Sequence, residues 1–289
     1  MNGGSSPRGY TIVEVMVFLA ISSLMFLIAA SFISGKQASA EFKQGINEIN
    51  SQIQETINDV ANGDTASNSN FTCISSESGL SFNTTANSDG SNLGCVTLGK
   101  VIQFDVANSD ATTNLDNYNI YTVVGRQFEA TNTTNDIANL ATTLSDADPE
   151  ALAPGTTGAP DFTKYDTLDW GLQVTKMTDN GEDINGVGFF SDFGGLNNGG
   201  QQSGSQTVQV LPFGSGTTET ALTMVTNEID SASSYPSSGA VPTNPDILIC
   251  FDGPSGEYGS LSIGDASTSA TGQRLTTSIQ VSNNTIEGC

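Results

Sequence analysis

From Val15 to Ile33 the chain runs nineteen residues without one formal charge, directly after Glu14. Wound as an α-helix at ~1.5 Å per residue, that run covers nearly the ~30 Å hydrocarbon thickness of a bilayer. A second helical signal follows it. Phe42, Ile46, Ile49, Ile53, Ile57 and Val60 recur at intervals of 4, 3, 4, 4 and 3, the period of an amphipathic helix, and Gly63 marks its end. One helix from about Thr11 to Asn62 would be roughly 75–80 Å long. Its first half is apolar all round; its second half is apolar on one stripe, with Glu, Gln, Asn and Lys elsewhere. Within it Gly45 costs about 1 kcal/mol relative to Ala and reads as a tolerated defect or flex point. No proline occurs between Pro7 and Pro149, so Ser22-Ser23 and Gly35 are the weakest points of the shaft.

Glu14 is the anomaly at the start of this helix. An ionised acidic side chain costs roughly 2.5–3.5 kcal/mol deep in a membrane helix and less near its edge. It is tolerable either at the interface, near the positive end of the helix dipole, or beside a cation brought to it. The nine residues before Tyr10 are short and polar and end in Arg8-Gly9. Arg8-Gly9 before Tyr10, with Glu14 four residues on and an unbroken apolar run, resembles the prepilin signature of type IV pilins and type II secretion pseudopilins. The resemblance implies that a prepilin peptidase cuts between Gly9 and Tyr10 and methylates the new amine of Tyr10. It also implies that Glu14 meets the N-terminal amine of a neighbouring subunit in the low-dielectric core of a helical filament. Two positions depart from the commonest pattern: Tyr10 stands for Phe, and Ser31 stands where many major pilins carry a helix-kinking proline. The competing reading is a cleaved secretory signal with Ala38-Ser39-Ala40 as its processing site. Its apolar run would exceed the usual ~7–15 residues, and cleavage there would discard the start of the amphipathic helix.

Charge and composition narrow the function. With 8 Lys+Arg against 31 Asp+Glu the formal net charge is -23, which opposes binding to a phosphate backbone, and no nucleic-acid partner is expected. DNA capture, a role of some pilins, meets the same obstacle, since Lys100, Arg126, Lys164, Lys176 and Arg274 are the only cations beyond residue 63. The absence of histidine removes Ser-His-Asp and Cys-His catalysis and every His-ligated metal. Acidic abundance leaves a carboxylate glycan hydrolase formally open, yet no carboxylate pair has a defined separation in sequence. The expectation is a non-enzymatic protein without a cofactor.

Beyond Gly63 the pattern changes to short β-like runs between Gly/Ser/Asn/Asp stretches. Strands are expected at Cys95–Val106, Tyr118–Glu129, Trp170–Met177, Val187–Phe193, Thr207–Phe213, Ala221–Thr226, Asp246–Phe251, Tyr258–Ile263 and Leu275–Val281. The expected fold is α+β: a long N-terminal helix packed on an antiparallel sheet head with long polar loops. The stretches Asp64–Asn92, Ala130–Lys164, Thr178–Ser205 and Asn227–Asn244 look too polar to pack, apart from a possible helical turn at Asp148–Leu152 capped by Asp148. The chain therefore divides into a leader (1–9), a membrane or filament-core half-helix (10–35), an amphipathic half-helix (36–62) and a head (63–289).

Four cysteines, none in a CxxC spacing, fit disulfides and an oxidising compartment. Of three connectivities the simplest joins neighbours, Cys73 with Cys95 and Cys250 with Cys289; the second is similar to the C-terminal disulfide loop of many pilins, and free buried thiols are the alternative. Asp179, Asn180, Glu182, Asp183 and Asn185 offer oxygen ligands of the kind calcium prefers without meeting the EF-hand pattern, so a solvated loop is the plainer reading and no metal is assigned. Trp170, the sole tryptophan, reads as a core residue rather than a partner contact, and the Asn-x-Thr sequons at Asn70, Asn83, Asn132 and Asn283 are expected by chance.

The expected function is a structural subunit of a type IV pilus or related filament. Before assembly it crosses the cytoplasmic membrane once, in contact with lipid; afterwards it lies outside the cell among other pilin subunits. Removing nine residues from 289 leaves 280, a large head that favours a minor position near a tip. The alternatives are a signal-anchored surface adhesin and a pseudopilin of type II secretion or DNA uptake.

Overall fold

A computed structural model describes residues 10–62, 72–76, 79–83, 95–105, 115–126, 141, 143–152, 164–191, 208–214, 227–231, 246–264 and 276–289. Helix α1 runs without interruption over Ile12–Asn62, 51 residues, or ~77 Å. Neither the serine pair nor Gly35 breaks it. Every position of the apolar stripe is buried, from Phe42, Ile46 and Ile53 at 0% exposed to Ile57 at 8%. Residues that cannot satisfy their apolar faces within a single helix have a head to pack against.

Among the described residues that head contains three antiparallel sheets. Strands β1 (Thr72–Ser76) and β2 (Gly79–Asn83) form a hairpin. A six-stranded sheet contains β3 (Cys95–Phe104), β4 (Asn117–Arg126), β5 (Glu150–Leu152), β6 (Lys164–Thr167), β9 (Gly186–Ser191) and β10 (Val208–Phe213). Its order is β10-β9-β3-β4-β5, with β6 pairing the other end of β4. A five-stranded sheet has the order β13-β12-β11-β7-β8, from β7 (Gln173–Asp179), β8 (Glu182–Asp183), β11 (Ile247–Asp252), β12 (Tyr258–Gly264) and β13 (Thr276–Ser282). The architecture is α+β. Eight of the nine expected strands coincide with observed ones within a few residues at each end; the ninth, Ala221–Thr226, lies outside the described residues.

The second half of α1 lies against both larger sheets. Its apolar stripe joins Ile102, Phe104, Ile120, Val187 and Phe189 of the six-stranded sheet in one cluster with Val174, Ile249, Phe251 and Leu261 of the five-stranded sheet. Polar contacts mark the two flanks of the seat. Lys100 of β3 donates to Asp59 at 2.6 Å, and Thr277 of β13 lies between Asn50 and Gln54, donating to the first at 2.6 Å and accepting from the second at 3.0 Å.

Two sequence expectations are overturned and a third is narrowed. Gly45 is the tolerated defect and not the flex point: it is buried in the uninterrupted helix beside the 3-10 turn Asp169–Gly171, and a Cβ there would lie 3.4 Å from the Asp169 carbonyl oxygen and 3.5 Å from Trp170 Cδ1, ordinary contact distances. Trp170 is not a core residue. It is 43% exposed, with φ +66° in that turn, and an edge of its ring, at Cδ1, approaches α1 beside Gly45. The stretch Asp148–Leu152 is no helical turn; Asp148 has φ +50° and Glu150–Leu152 is strand β5 on β4. The Asp148 carboxylate, instead of capping, meets the Arg126 guanidinium at 2.6 Å.

Segments expected to stay out of the core also contribute to it. Ala141, Leu144 and Ala147 are buried with Leu98, Val101, Val123, Phe190, Phe213 and Ile229 on the face of the six-stranded sheet away from α1. Reciprocal bonds close the turn that carries them, Thr143 N–H to the Asp146 carboxylate (3.0 Å) and Asp146 N–H to the Thr143 hydroxyl (3.1 Å). Local side-chain bonds release such a turn from the need for a helix or sheet, so two or three small apolar residues suffice to dock it.

The edge of this second core gathers acid. Burial raises the Glu150 carboxyl above its ordinary range, with Asp230 and Asp148 adding to the shift. Partial desolvation also raises Asp230, although the residue stays exposed on one side and its carboxylate accepts the Ala151 N–H at 2.7 Å. Asp105 and Asp252 are raised in the same sense. A carboxyl raised on folding favours the folded state below its unfolded pKa, and that contribution fades as pH climbs through the raised value. The head is therefore expected to lose stability from mildly acidic to neutral pH. Asp230→Asn retains the acceptor for Ala151 while removing a charge, so melting of the full chain across that range should show a higher Tm at neutral pH and a shallower slope. An unchanged profile would dissociate this corner from the pH response.

Candidate assembly site on the first helix

The first half of α1 is open to its surroundings. Phe18 (70% exposed), Leu24, Met25, Phe26 and Leu27 project freely, and an 18-residue window reaches a mean hydropathy of 2.5 with none of it buried. This helix is long and apolar enough to cross a membrane. Its serines suit lipid as well, since Ser23 and Ser31 return their hydroxyls to the carbonyls of Leu19 (2.8 Å) and Leu27 (3.0 Å). A hydroxyl bonded within its own helix needs no partner from water.

Tyr10 precedes the helix and is 81% exposed. Thr11 provides the cap, its hydroxyl accepting the Glu14 N–H at 3.3 Å. Glu14 stands in the first turn, where unpaired backbone N–H groups favour a negative charge. It is exposed, and among the described residues no ion pair engages it. Gly9 and the rest of the leader lie outside the described residues. The helix thus ends in a single carboxylate on an otherwise apolar, uncovered shaft.

The cysteines divide. Cys250 and Cys289 form a disulfide with Cα atoms 5.6 Å apart, tying the C-terminus to β11. The tail it anchors is also held by buried Ile286 and by the Lys176 ammonium donating to the Gly288 carbonyl at 3.2 Å. Cys73 lies on β1 and Cys95 opens β3; their side chains, and so their pairing, lie outside the described residues.

The acidic segment Asp179–Asn185 folds as the tight turn between β7 and β8, with positive φ at Asn180 and Gly181. Asp179 accepts the Asp246 N–H at 3.2 Å, whereas Asn185 is buried and donates to the Gly214 carbonyl at 3.4 Å. Among the described residues no group of three acidic or thiol side chains converges on a metal position.

A second acidic grouping had no sequence signature. Burial raises the Tyr118 hydroxyl, and the Asp166, Glu48 and Asp169 carboxylates add to the shift; Tyr118 donates to Asp166 at 3.2 Å. Three carboxylates from α1, β6 and the 3-10 turn therefore face one phenol beside the exposed Trp170. Tyr118 and Asp166 are partners across the β4–β6 pair and Asp169 follows closely after β6, so only Glu48 is brought to the group by the docking of α1.

No protein-family model, curated protein or solved structure matches the chain.

Proposed function

We propose that the chain is a structural subunit of a type IV pilus or a related filament, processed by a prepilin peptidase and acting without catalysis or cofactor. The first half of α1 holds the subunit in the membrane until it is drawn into the filament among other pilin subunits, leaving the head outside the cell. The observation that carries this reading is the partition of one continuous helix, buried against a head in its second half and uncovered in its first, with Glu14 at the uncovered tip. In a helix with only an anchoring role that carboxylate does no more than complement the helix N-terminus. A helix that assembles gains a register mark if the methylated amine of Tyr10 from a neighbour neutralises it. The large head supports a minor position, since repeating it along a fibre would crowd its loops. N-terminal mass spectrometry of protein from sheared surface filaments tests the reading. The expected species begins at Tyr10 with a methylated amine, and Gly9→Val should retain the leader. Functional protein that still begins at Met1 would identify a signal-anchored adhesin and overturn the proposal.

A further inference from the structure

The exposed charges of the second half of α1 are sorted by sign. At 3.6 residues per turn, the stripe headed by Phe42 and Ile46 faces the head, Lys36 and Lys43 fall on one side of it, and Glu41, Glu48 and Glu55 fall on the other. Both lysines are exposed, as are Glu48 and Glu55. Among the described residues the ion pairs are Lys100–Asp59 and Arg126–Asp148, so neither lysine is neutralised within its own subunit. The acidic side is reinforced where Glu48 lies with Asp169 around Tyr118.

Spacing matches as well as sign. Lys36 and Lys43 are seven residues apart, and so are Glu41 and Glu48. A parallel copy raised by five residues, about 7–8 Å along the axis, brings Lys36 level with Glu41 and Lys43 level with Glu48. Because the two signs occupy different sides of one helix, the contact is heterologous, the kind that propagates along an open helical array rather than closing a dimer. A chain of formal net charge -23 repels its own copies at large, which makes the placement of its few cations decisive for close approach.

We infer that the Lys36–Lys43 flank of one subunit docks on the Glu41–Glu48 flank of a second copy of this chain, with a stagger of five residues. The inference rests on the filament reading and adds to it: two copies sit side by side, even if the subunit is a minor one. Glu14 and Glu41 are 27 residues apart and so project from opposite sides of a straight helix, whereas Glu14 and Lys43, 29 residues apart, share one side; only the glutamate flank of this contact addresses a neighbour on the far side from Glu14.

The test uses the full chain in its native envelope. Lys36→Glu with Lys43→Glu should lower filament-associated protein at least about tenfold by like-charge opposition, and adding Glu41→Lys with Glu48→Lys should restore it. Differently tagged Lys43→Cys and Glu48→Cys copies, expressed together, should be joined by a short bismaleimide, and neither should join when expressed alone. Undiminished incorporation of the charge-reversed protein overturns the inference while leaving the filament reading intact. Loss that the glutamate reversals fail to rescue also overturns it, since the lysines then serve lipid headgroups or another subunit. Absence of wild-type protein from any filament overturns both readings together.

Discussion

Glu14→Val is expected to reach the membrane as efficiently as wild type and to be nearly absent from filaments. Insertion depends on the hydrophobicity of the uncovered half-helix, which valine increases. Incorporation under the proposed reading depends on a carboxylate that neutralises an incoming amine in a water-poor core. Breaking such a buried pair costs about 3–5 kcal/mol, because the remaining charge stays uncompensated; at about 1.4 kcal/mol per decade this lowers occupancy roughly a hundredfold or more. Immunoblots of membrane and sheared-filament fractions from the same cells measure both steps. Equal recovery of variant and wild type in the filament fraction would remove Glu14 from assembly.

Phe42→Ala is the complementary case, expected to spare insertion and damage the head. Phe42 is 0% exposed and lies where α1 first meets the five-stranded sheet. Gly253 and Gly259 form the floor beneath it: a Cβ on Gly253 would stand 2.6 Å from Phe42 Cδ2, and one on Gly259 would collide with Ile46 and approach Phe42 Cζ to 3.1 Å. The ring fills a site shaped by missing side chains, so truncation leaves a cavity that the glycine-floored backbone closes poorly. Phe→Ala changes in such places cost about 3–5 kcal/mol, much of the total stability of an ordinary domain. Thermal melting in detergent should show a large fall in Tm, and limited proteolysis should cut the variant near the helix–head junction. A loss below about 1 kcal/mol would mean that α1 is held by its polar flank contacts more than by this seat.

The two halves of α1 were legible in the sequence because hydropathy and helical period are local properties. Nineteen uncharged residues and a 3–4 spacing need no knowledge of the remainder of the chain. Most strands were legible for the same reason: β3, β4 and β9 are apolar runs long enough to stand out. The hairpin β1–β2 and the short β5, β6 and β8 were missed. Their residues, such as Thr-Cys-Ile-Ser-Ser in β1 and Glu-Asp in β8, are polar, and pairing with neighbours makes them strands rather than any pattern of their own. Trp170 departs from a core reading because its exposure depends on how the Asp169–Gly171 turn lies against the helix.

The candidate site shows the same division. Tyr10, Glu14 and the apolar run are a contiguous signal, visible in the order of residues. The spacing of Lys36, Lys43, Glu41 and Glu48 was equally present in that order. It became two opposed flanks only when the stripe through Phe42 was seen seated across the sheets, since a helix has no sides until something covers one of them. The Cys250–Cys289 bridge was one of three arithmetical possibilities until β11 and the returning C-terminus placed those two Cα atoms 5.6 Å apart. Residue order dictates elements whose cause lies within a few turns of backbone; contacts between distant segments depend on how those elements close around a shared core. For that reason the shaft, its charge-free run and Glu14 follow from composition and periodicity alone, while the pairing of cysteines, the gathering of Glu48, Asp166 and Asp169 around Tyr118, and the exposure of Trp170 arise only in the folded head.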